Sequence, residues 1–310
     1  MTTAPSASTS RALDFGLRQH TIRTRPFPRG HVEFPVSGSL WRCPTCGADL
    51  TVEAGILCRA CGKSVLVDGR LLDFRPLTPQ LNLGLAPLMH HLHDTRGGMY
   101  RDDTKSPRVL HALRRIAEYA DKGVCLEIGA ANGPMTPELE DRFDQVIALD
   151  HSSSMLKHTL RKTRSAVCVV GDMHFLPLRN ESVDFVVLTE VLEHAVVPTQ
   201  LLLEIRRVLK REGRAFLTVP NERRMGFLIR GNVKAPISTH VNFFDTVSLR
   251  RLLLLCGFTI VDVRTWGPRQ PLGKVLLDPW RLRRHLPALG KFVECVVQPG
   301  AAPGASWDAT

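Results

Sequence analysis

With 310 residues, the chain is long enough for one large α/β domain and a small accessory module, and too short for two full-sized enzymatic domains. An apolar fraction of 44% beside 23% charged residues supplies a sizeable core and excludes global disorder. The net charge of +11 is unevenly placed: residues 200–310 carry 18 Lys and Arg against 8 Asp and Glu, a balance that suits an anionic substrate or RNA and equally a solvated arginine-rich face.

Residues 1–38 mix Ser, Thr, Pro and Arg without periodicity and read as a flexible basic arm. The polar opening Met1 to Ser10 lacks the apolar centre of a secretory signal, and no apolar run reaches the roughly 18 to 20 residues of a membrane span. The expected compartment is the cytoplasm.

Residues 39–76 form a compact Cys/Gly unit. Cys43-Pro-Thr-Cys46-Gly47 and Cys58-Arg-Ala-Cys61-Gly62 place two Cys-x-x-Cys pairs eleven residues apart, each followed by glycine. In a chain of this size that spacing argues for metal and against a disulfide framework. Each pair can form a tight knuckle with its glycine in the left-handed conformation, and two knuckles offer four thiolates in a tetrahedron. The unit resembles a zinc ribbon, with iron in a rubredoxin-like site as the alternative. Four thiolates leave no open position, so a structural role for Zn2+ on Cys43, Cys46, Cys58 and Cys61 is expected. The single cysteines Cys125, Cys168, Cys256 and Cys295 sit in apolar runs and read as inert core residues.

Residues 77–120 read as a helical lid or linker, with Leu110, Leu113, Ile116 and Ala117 on one face. From residue 121 to 298, short apolar runs alternate with helical segments, the pattern of a parallel sheet with covering helices. Seven strands are predicted, at Val124 to Ile128, Gln145 to Leu149, Ala166 to Val170, Val183 to Leu188, Arg214 to Val219, Thr259 to Arg264 and Lys291 to Val297. The clearest helices are Thr199 to Lys210 and Thr246 to Leu255. The Pro/Gly/Ala-rich tail, residues 299–310, is expected to be disordered.

The first strand runs into the small-residue turn Gly129-Ala-Ala-Asn-Gly133, where backbone N–H groups can approach a ligand closely. The second ends in Asp150, about 20 residues past the turn, where a carboxylate can accept hydrogen bonds from ribose hydroxyls. The third leads to Gly171-Asp172-Met173, and the fourth to Glu190-Val-Leu-Glu-His194. These groups fall at the carboxyl ends of parallel strands, where open α/β sheets bind ligands. A nicotinamide dehydrogenase would want a G-x-G-x-x-G frame, which Gly129, Ala131 and Gly133 do not give.

The ordered set Glu127-Ile-Gly-Ala-Ala-Asn-Gly133, Asp150, Gly171-Asp172-Met173 with Leu176-Pro177, and Glu190 to His194 resembles the class I S-adenosylmethionine-dependent methyltransferases of the broad type that includes ubiquinone-biosynthesis enzymes. The resemblance covers roughly residues 105–298 and departs from the family's turn at Ala131, where a glycine is usual. It implies a Rossmann-like α/β fold with a seven-stranded, mostly parallel sheet and helices on both faces, beside the small N-terminal zinc ribbon. It also implies S-adenosyl-L-methionine as cofactor. Glu127, Gly129, Ala131 and Gly133 would shape the pocket for its methionine portion, Asp150 would bind the ribose, Asp172 the adenine amino group, Met173 would pack on the adenine ring, and Glu190 is a further cofactor-binding candidate.

Methyl transfer from a sulfonium is an in-line displacement that needs the acceptor near 3 Å from the methyl in a dry pocket. If the acceptor is a hydroxyl, His194 or His240 is placed to serve as base, and the alternative is that each only packs or caps. Arg223 and Arg224, in the basic stretch after strand five, are candidates to hold an anionic group, and Tyr100 in the helical region is a further candidate substrate contact. A related group methylates guanine N1 in ribosomal RNA and also joins an N-terminal zinc module to this fold. The Asn-Pro-Pro-Tyr signature of base-amine methylation is absent, since Thr189-Glu190-Val191-Leu192 stands there. With aromatics at 6% and no RNP-like motif, a small-molecule acceptor is preferred over RNA. A non-catalytic cofactor-binding scaffold is the third reading.

Overall fold

Runs of Val, Ile, Leu and Ala that bury both faces make the centre of a parallel sheet, and all seven predicted runs are strands here. The structure is a computed structural model describing residues 40–53, 55–75, 106–120, 122–221, 240–267 and 290–300. The cysteine unit contributes β1 (Thr51–Glu53), β2 (Gly55–Leu57), β3 (Ser64–Asp68) and β4 (Leu71–Asp73). Helix α1 (Pro107–Ala117) then precedes β5 (Val124–Ile128), α2 (Thr136–Glu140), β6 (Gln145–Asp150), α3 (Ser153–Lys162), β7 (Val167–Val170) and β8 (Val183–Thr189). A 3₁₀ turn (Leu192–His194) leads to α4 (Pro198–Val208), β9 (Leu209–Pro220), α5 (Thr246–Leu255), β10 (Phe258–Trp266) and β11 (Phe292–Pro299). The expected arm, residues 1–38, and the tail from residue 301 lie outside the described residues, as do residues 77–105 of the expected lid.

The strand order is β1-β2-β3-β4-β7-β6-β5-β8-β9-β11-β10. Pairing is parallel from β4 through β9 and antiparallel where β11 inserts between β9 and β10. The expectation of a seven-stranded sheet with a separate ribbon is therefore corrected. The seven strands from β5 to β11 are present, and β4 and β3 extend them into a mixed sheet of nine, from whose edge the β1-β2 hairpin continues.

The weld is made of ordinary backbone chemistry. Leu71, Leu72 and Asp73 lie opposite Cys168, Val169 and Val170, the Cys168 N–H donates to the Arg70 carbonyl, and the Phe74 N–H donates to the Val170 carbonyl at 2.8 Å. The Arg70 guanidinium donates to the carbonyls of Leu160, Thr163 and Ala166, satisfying the open end of α3 where a cation is also favoured by the helix dipole. On the opposite side of the unit, Trp41 is fully buried, bridges to Leu178 and stacks on Phe74 with ring centroids 5.5 Å apart. Cys43, Cys58, Trp41 and Phe74 share one hydrophobic cluster with Ile128, Leu149 and Val169 of the large sheet.

Helix α1 starts as its sequence suggests, with the Ser106 hydroxyl accepting from the Val109 N–H and Pro107 in the first turn. Its buried face is Val109, Ala112, Arg115 and Ile116, whereas Leu110 is 42% exposed. The expected stripe through Leu110 is thus displaced by one position. The reason is Arg115, which looks like a surface residue in the sequence. Its guanidinium is buried against Glu294 of β11 at 3.0 Å, Asp262 of β10 at 2.5 Å, and Glu118, and removing one member of such a set leaves a buried charge uncompensated. The four single cysteines are all buried, as expected. Among the described residues, no helix is long and apolar enough to cross a membrane.

Candidate active site

The turn after β5 folds back over the end of β6, with the N–H groups of Gly129 and Ala130 both donating to the Leu149 carbonyl. Gly129 has φ +74°, and a Cβ there would fall 2.3 Å from a Val191 methyl, so the turn and the loop after β8 approach as closely as glycine permits. Ala131 takes φ +47°, a conformation that costs a non-glycine residue about 1–2 kcal/mol. Two bonds hold it there. Its N–H donates to Asp150 Oδ2 at 2.9 Å, and its carbonyl accepts from the Thr159 hydroxyl at 2.8 Å. The departure from glycine at this position is therefore accommodated locally.

Asp150, at the end of β6, is buried and also accepts from the Ser152 N–H at 2.9 Å through Oδ1, with His151 Nδ1 3.3 Å from the same oxygen. Glu127, one residue before the end of β5, is 4% exposed and accepts from the Thr136 hydroxyl at 2.6 Å. Burial pushes its pKa up to about 7; the Asp150 charge adds to the rise and the Thr136 hydrogen bond opposes it. Glu127, Ala131 and Asp150 are thus gathered at the carboxyl ends of two adjacent strands, as the sequence suggests.

The third strand contributes Asp172, and here the structure adds a residue that sequence reading missed. His174 is buried and its Nε2 accepts from the Val197 N–H, so Nδ1 carries the proton and donates to Asp172 Oδ1 at 2.7 Å. The backbone N–H of His174 donates to the same oxygen. The imidazole therefore fixes the Asp172 carboxylate. Met173 is half-buried and packs against the main hydrophobic cluster.

The fourth strand, β8, leads into Glu190, whose φ of +56° is an outlier for a non-glycine residue. Its N–H donates to the Thr218 carbonyl and its carboxyl accepts from the Thr218 hydroxyl at 3.1 Å. Burial raises its pKa to about 7, against the opposing effects of Arg108, the Thr218 bond and Lys291. The strained residue sits where Val191 is handed to Gly129, and strain of this kind gathers at ligand sites.

His194 and His240 are brought together. Their rings meet edge to face with centroids 4.7 Å apart, and the Nε2 atoms lie 3.9 and 4.0 Å from one oxygen of Glu193. Glu193 is 2% exposed and was not singled out from the sequence, because adjacency to His194 says nothing of which way a carboxylate turns. The only signal available was its place inside Glu190-Val-Leu-Glu-His194.

The four cysteines of the N-terminal unit also converge. Cys43 and Cys61 sulfurs are 3.8 Å apart and those of Cys46 and Cys58 3.4 Å apart, with all four within 4.8 Å of one another. Each knuckle closes as expected, with Gly47 (φ +75°) donating to the Cys43 carbonyl and Gly62 (φ +71°) to that of Cys58. Tyr100, Arg223 and Arg224, with Arg230 and Lys234, lie outside the described residues.

Residues 126–217 match the methyltransferase domain family. A probable S-adenosylmethionine-dependent methyltransferase of Mycolicibacterium smegmatis is 30% identical over 196 residues, 63% of this chain and 71% of that protein. The chain belongs to the S-adenosylmethionine-dependent methyltransferases. A bifunctional biotin biosynthesis protein of Cellvibrio japonicus is 34% identical over 139 residues, 44% of this chain and 28% of that protein. The chain thus spans only about a quarter of the length of the first curated relatives it matches. Among solved structures, a chain of the complex between the Haloferax volcanii Trm112 methyltransferase activator and its methyltransferase superposes with a TM-score of 0.54 at 20% identity, over 67% of this chain and 97% of that chain. That likeness is one of fold.

Proposed function

We propose that this protein transfers a methyl group from S-adenosyl-L-methionine to a small-molecule acceptor. The observation that carries the reading is the ordered set of Glu127, Asp150 and Asp172 at the carboxyl ends of β5, β6 and β7, beneath a turn whose backbone is left-handed at Gly129, Ala131 and Gly133. The cofactor supplies an electrophilic methyl on a sulfonium. The residues fit it. The turn gives the close backbone approach a nucleoside needs, Asp150 is placed for the ribose, Asp172 is fixed by His174 for the adenine amino group with Met173 beside it, and buried Glu127 awaits a positive charge. Glu190 and Val191 close the pocket from β8, and His194 and His240 mark its acceptor side. The resemblance to a biotin-biosynthesis protein favours a small molecule over RNA.

The four converging cysteines are proposed to hold one structural zinc ion. Zn–S bonds of about 2.3 Å in a tetrahedron put sulfurs roughly 3.8 Å apart, in line with the 3.4 and 3.8 Å separations here.

Calorimetry with S-adenosylhomocysteine tests the cofactor. Wild-type protein should bind it, and Asp150→Ala should bind about 10- to 150-fold more weakly, the loss of charged hydrogen bonds of roughly 1.5–3 kcal/mol. Asp150→Asn keeps one acceptor oxygen and should lose less. Binding of NAD in place of the adenosyl compound would refute the reading. Incubation with methyl-labelled cofactor, a small-molecule library and total RNA then identifies the acceptor class; label entering RNA alone would overturn the small-molecule assignment.

Glu127 gives a second expectation. With its folded-state pKa raised from 4.5 to about 7, its contribution to apo stability is fully present below about 4.5 and is lost as pH rises through about 7. A bound cation prefers the ionised carboxylate, so cofactor binding below about 7 must release a proton. Affinity for S-adenosylmethionine should therefore rise up to about tenfold per pH unit between 6 and 7 and level off above. Glu127→Gln should remove both this slope and the proton release, read as the buffer dependence of the binding enthalpy. An unchanged slope in that variant would assign the effect to another group.

A further inference from the structure

Three side chains that meet after β8 form a constellation that methyl transfer by positioning alone does not require. Glu193 and His194 lie in the 3₁₀ turn that follows β8, and His240 arrives from 46 positions further along the chain. The meeting is pinned by backbone. The N–H groups of Val241 and Asn242 both donate to the Glu193 carbonyl, at 2.9 and 3.0 Å, and the Asn242 side-chain amide donates to the Ala195 carbonyl at 2.6 Å. The Glu193 carboxylate is buried, while His194 and His240 are 18% and 31% exposed, so the cluster has a protein-lined floor and an open side.

We propose that Glu193, His194 and His240 bind one divalent cation, and that this cation takes the oxygens of the methyl acceptor. The inference rests on the small-molecule reading above and deepens it. Two imidazole nitrogens and one carboxylate oxygen are the donor set of an open metal site, since three protein ligands leave positions for exogenous oxygens. Their spacing is suitable. Bonds of about 2.0–2.2 Å put neighbouring ligands roughly 3 to 3.5 Å apart around one ion, and the Nε2 atoms stand 3.9 and 4.0 Å from Glu193 Oε1, a gap that small rotations of two part-exposed rings would close. The cluster is also in the right place. Val191, two residues before Glu193, lies against Gly129 of the turn after β5, so the loop that carries Glu193 and His194 begins at the proposed cofactor site.

The acceptor this implies is a small molecule with two neighbouring oxygens, one a hydroxyl, able to chelate the ion. Coordination lowers the hydroxyl pKa, and its proton passes to water as the acceptor binds. An oxygen lone pair then forms the new C–O bond while the C–S bond breaks, and its electron pair stays on sulfur as a neutral thioether. The two histidines hold the ion and neither is needed as a base.

The test titrates Mn2+ into the full-length, zinc-loaded protein and follows it by electron paramagnetic resonance. Mn2+ is a hard ion with little affinity for thiolates, so it leaves the four-cysteine site to zinc. One Mn2+ per chain is expected, with affinity at least tenfold lower in Glu193→Gln and in His240→Ala, the latter altering a part-exposed side chain that the fold can spare. S-adenosylhomocysteine affinity, measured on the same samples, should hold within about twofold. Catechol should bind at least tenfold more tightly with Mn2+ present than without. No Mn2+ bound by the wild type, or binding that both variants leave intact, overturns the site; catechol affinity indifferent to Mn2+ overturns the chelated acceptor. Loss of S-adenosylhomocysteine binding by the wild type would instead refute the methyltransferase reading while the Mn2+ result stood by itself.

Discussion

If the four cysteines hold zinc as proposed, protein treated with chelator, or carrying Cys58→Ser, is expected to melt at least 10 °C below the untreated wild type. Structural zinc sites commonly contribute about 10 kcal/mol or more to the folding of their modules. Here the module is part of the main sheet, so the loss does not stay local. Cys43 and Cys58 share a hydrophobic cluster with Ile128, Leu149 and Val169, and Trp41 and Phe74 bridge the two. A loss of only about 4 kcal/mol from a domain of this size lowers the midpoint by roughly 8–16 °C. Scanning calorimetry with and without a chelator reads the shift. Cofactor affinity of the fraction that remains folded should change much less than stability, because Asp150 and Glu127 stand on β6 and β5, inside the sheet. Preserved stability with collapsed cofactor affinity would place the metal in the active site and not under the fold.

Gly129→Ala is expected to weaken S-adenosylhomocysteine binding by about a hundredfold or more. Two costs coincide at this position. A φ of +74° costs an alanine about 1–2 kcal/mol. The new Cβ would also meet Val191 Cγ2 at 2.3 Å, and a contact that short forces the turn and the loop after β8 apart. The turn is the floor of the proposed cofactor site and the loop carries Glu190, so their separation would disrupt both of its walls. The second cost has a remedy. Val191→Ala removes the clashing methyl, and the double variant Gly129→Ala/Val191→Ala should recover part of the affinity, leaving the backbone cost alone. Calorimetric titration of the two single variants and the double variant measures the coupling. Additive losses would show that Val191 and Gly129 do not limit one another.

How much of this could be read from the chain follows from how local each signal is. Val167 to Val170 and Val183 to Thr189 are legible as strands because a strand covered on both faces must be apolar at nearly every position. Asp150 is legible because one strand-turn-helix-strand unit has a nearly fixed length. The cysteine knuckles are legible because two Cys-x-x-Cys pairs, each followed by glycine, form a purely local pattern. By contrast, Leu71-Leu72-Asp73 is too short to announce a strand, and its parallel partner lies 97 residues away, where no local pattern encodes the pairing. Arg115 reads as solvated until Glu294 and Asp262 are brought to it. Glu193 and His240 are separated by 47 positions, and only the folded backbone reveals that Val241 and Asn242 deliver one to the other.

The pairing of β4 onto β7 has one more effect. A parallel sheet that ended at β7 would present a flat row of unpaired amide and carbonyl groups flanked by Val167, Cys168, Val169 and Val170, all buried here. Such an edge is a template on which another chain can add a strand, and proteins guard against it by covering, bending or charging the edge. In this chain the guard is built in. Arg70 and Leu71 to Phe74 occupy the template, β3 and β2 follow antiparallel, and the edge on this side moves out to β1, a strand of three residues that is a far poorer template.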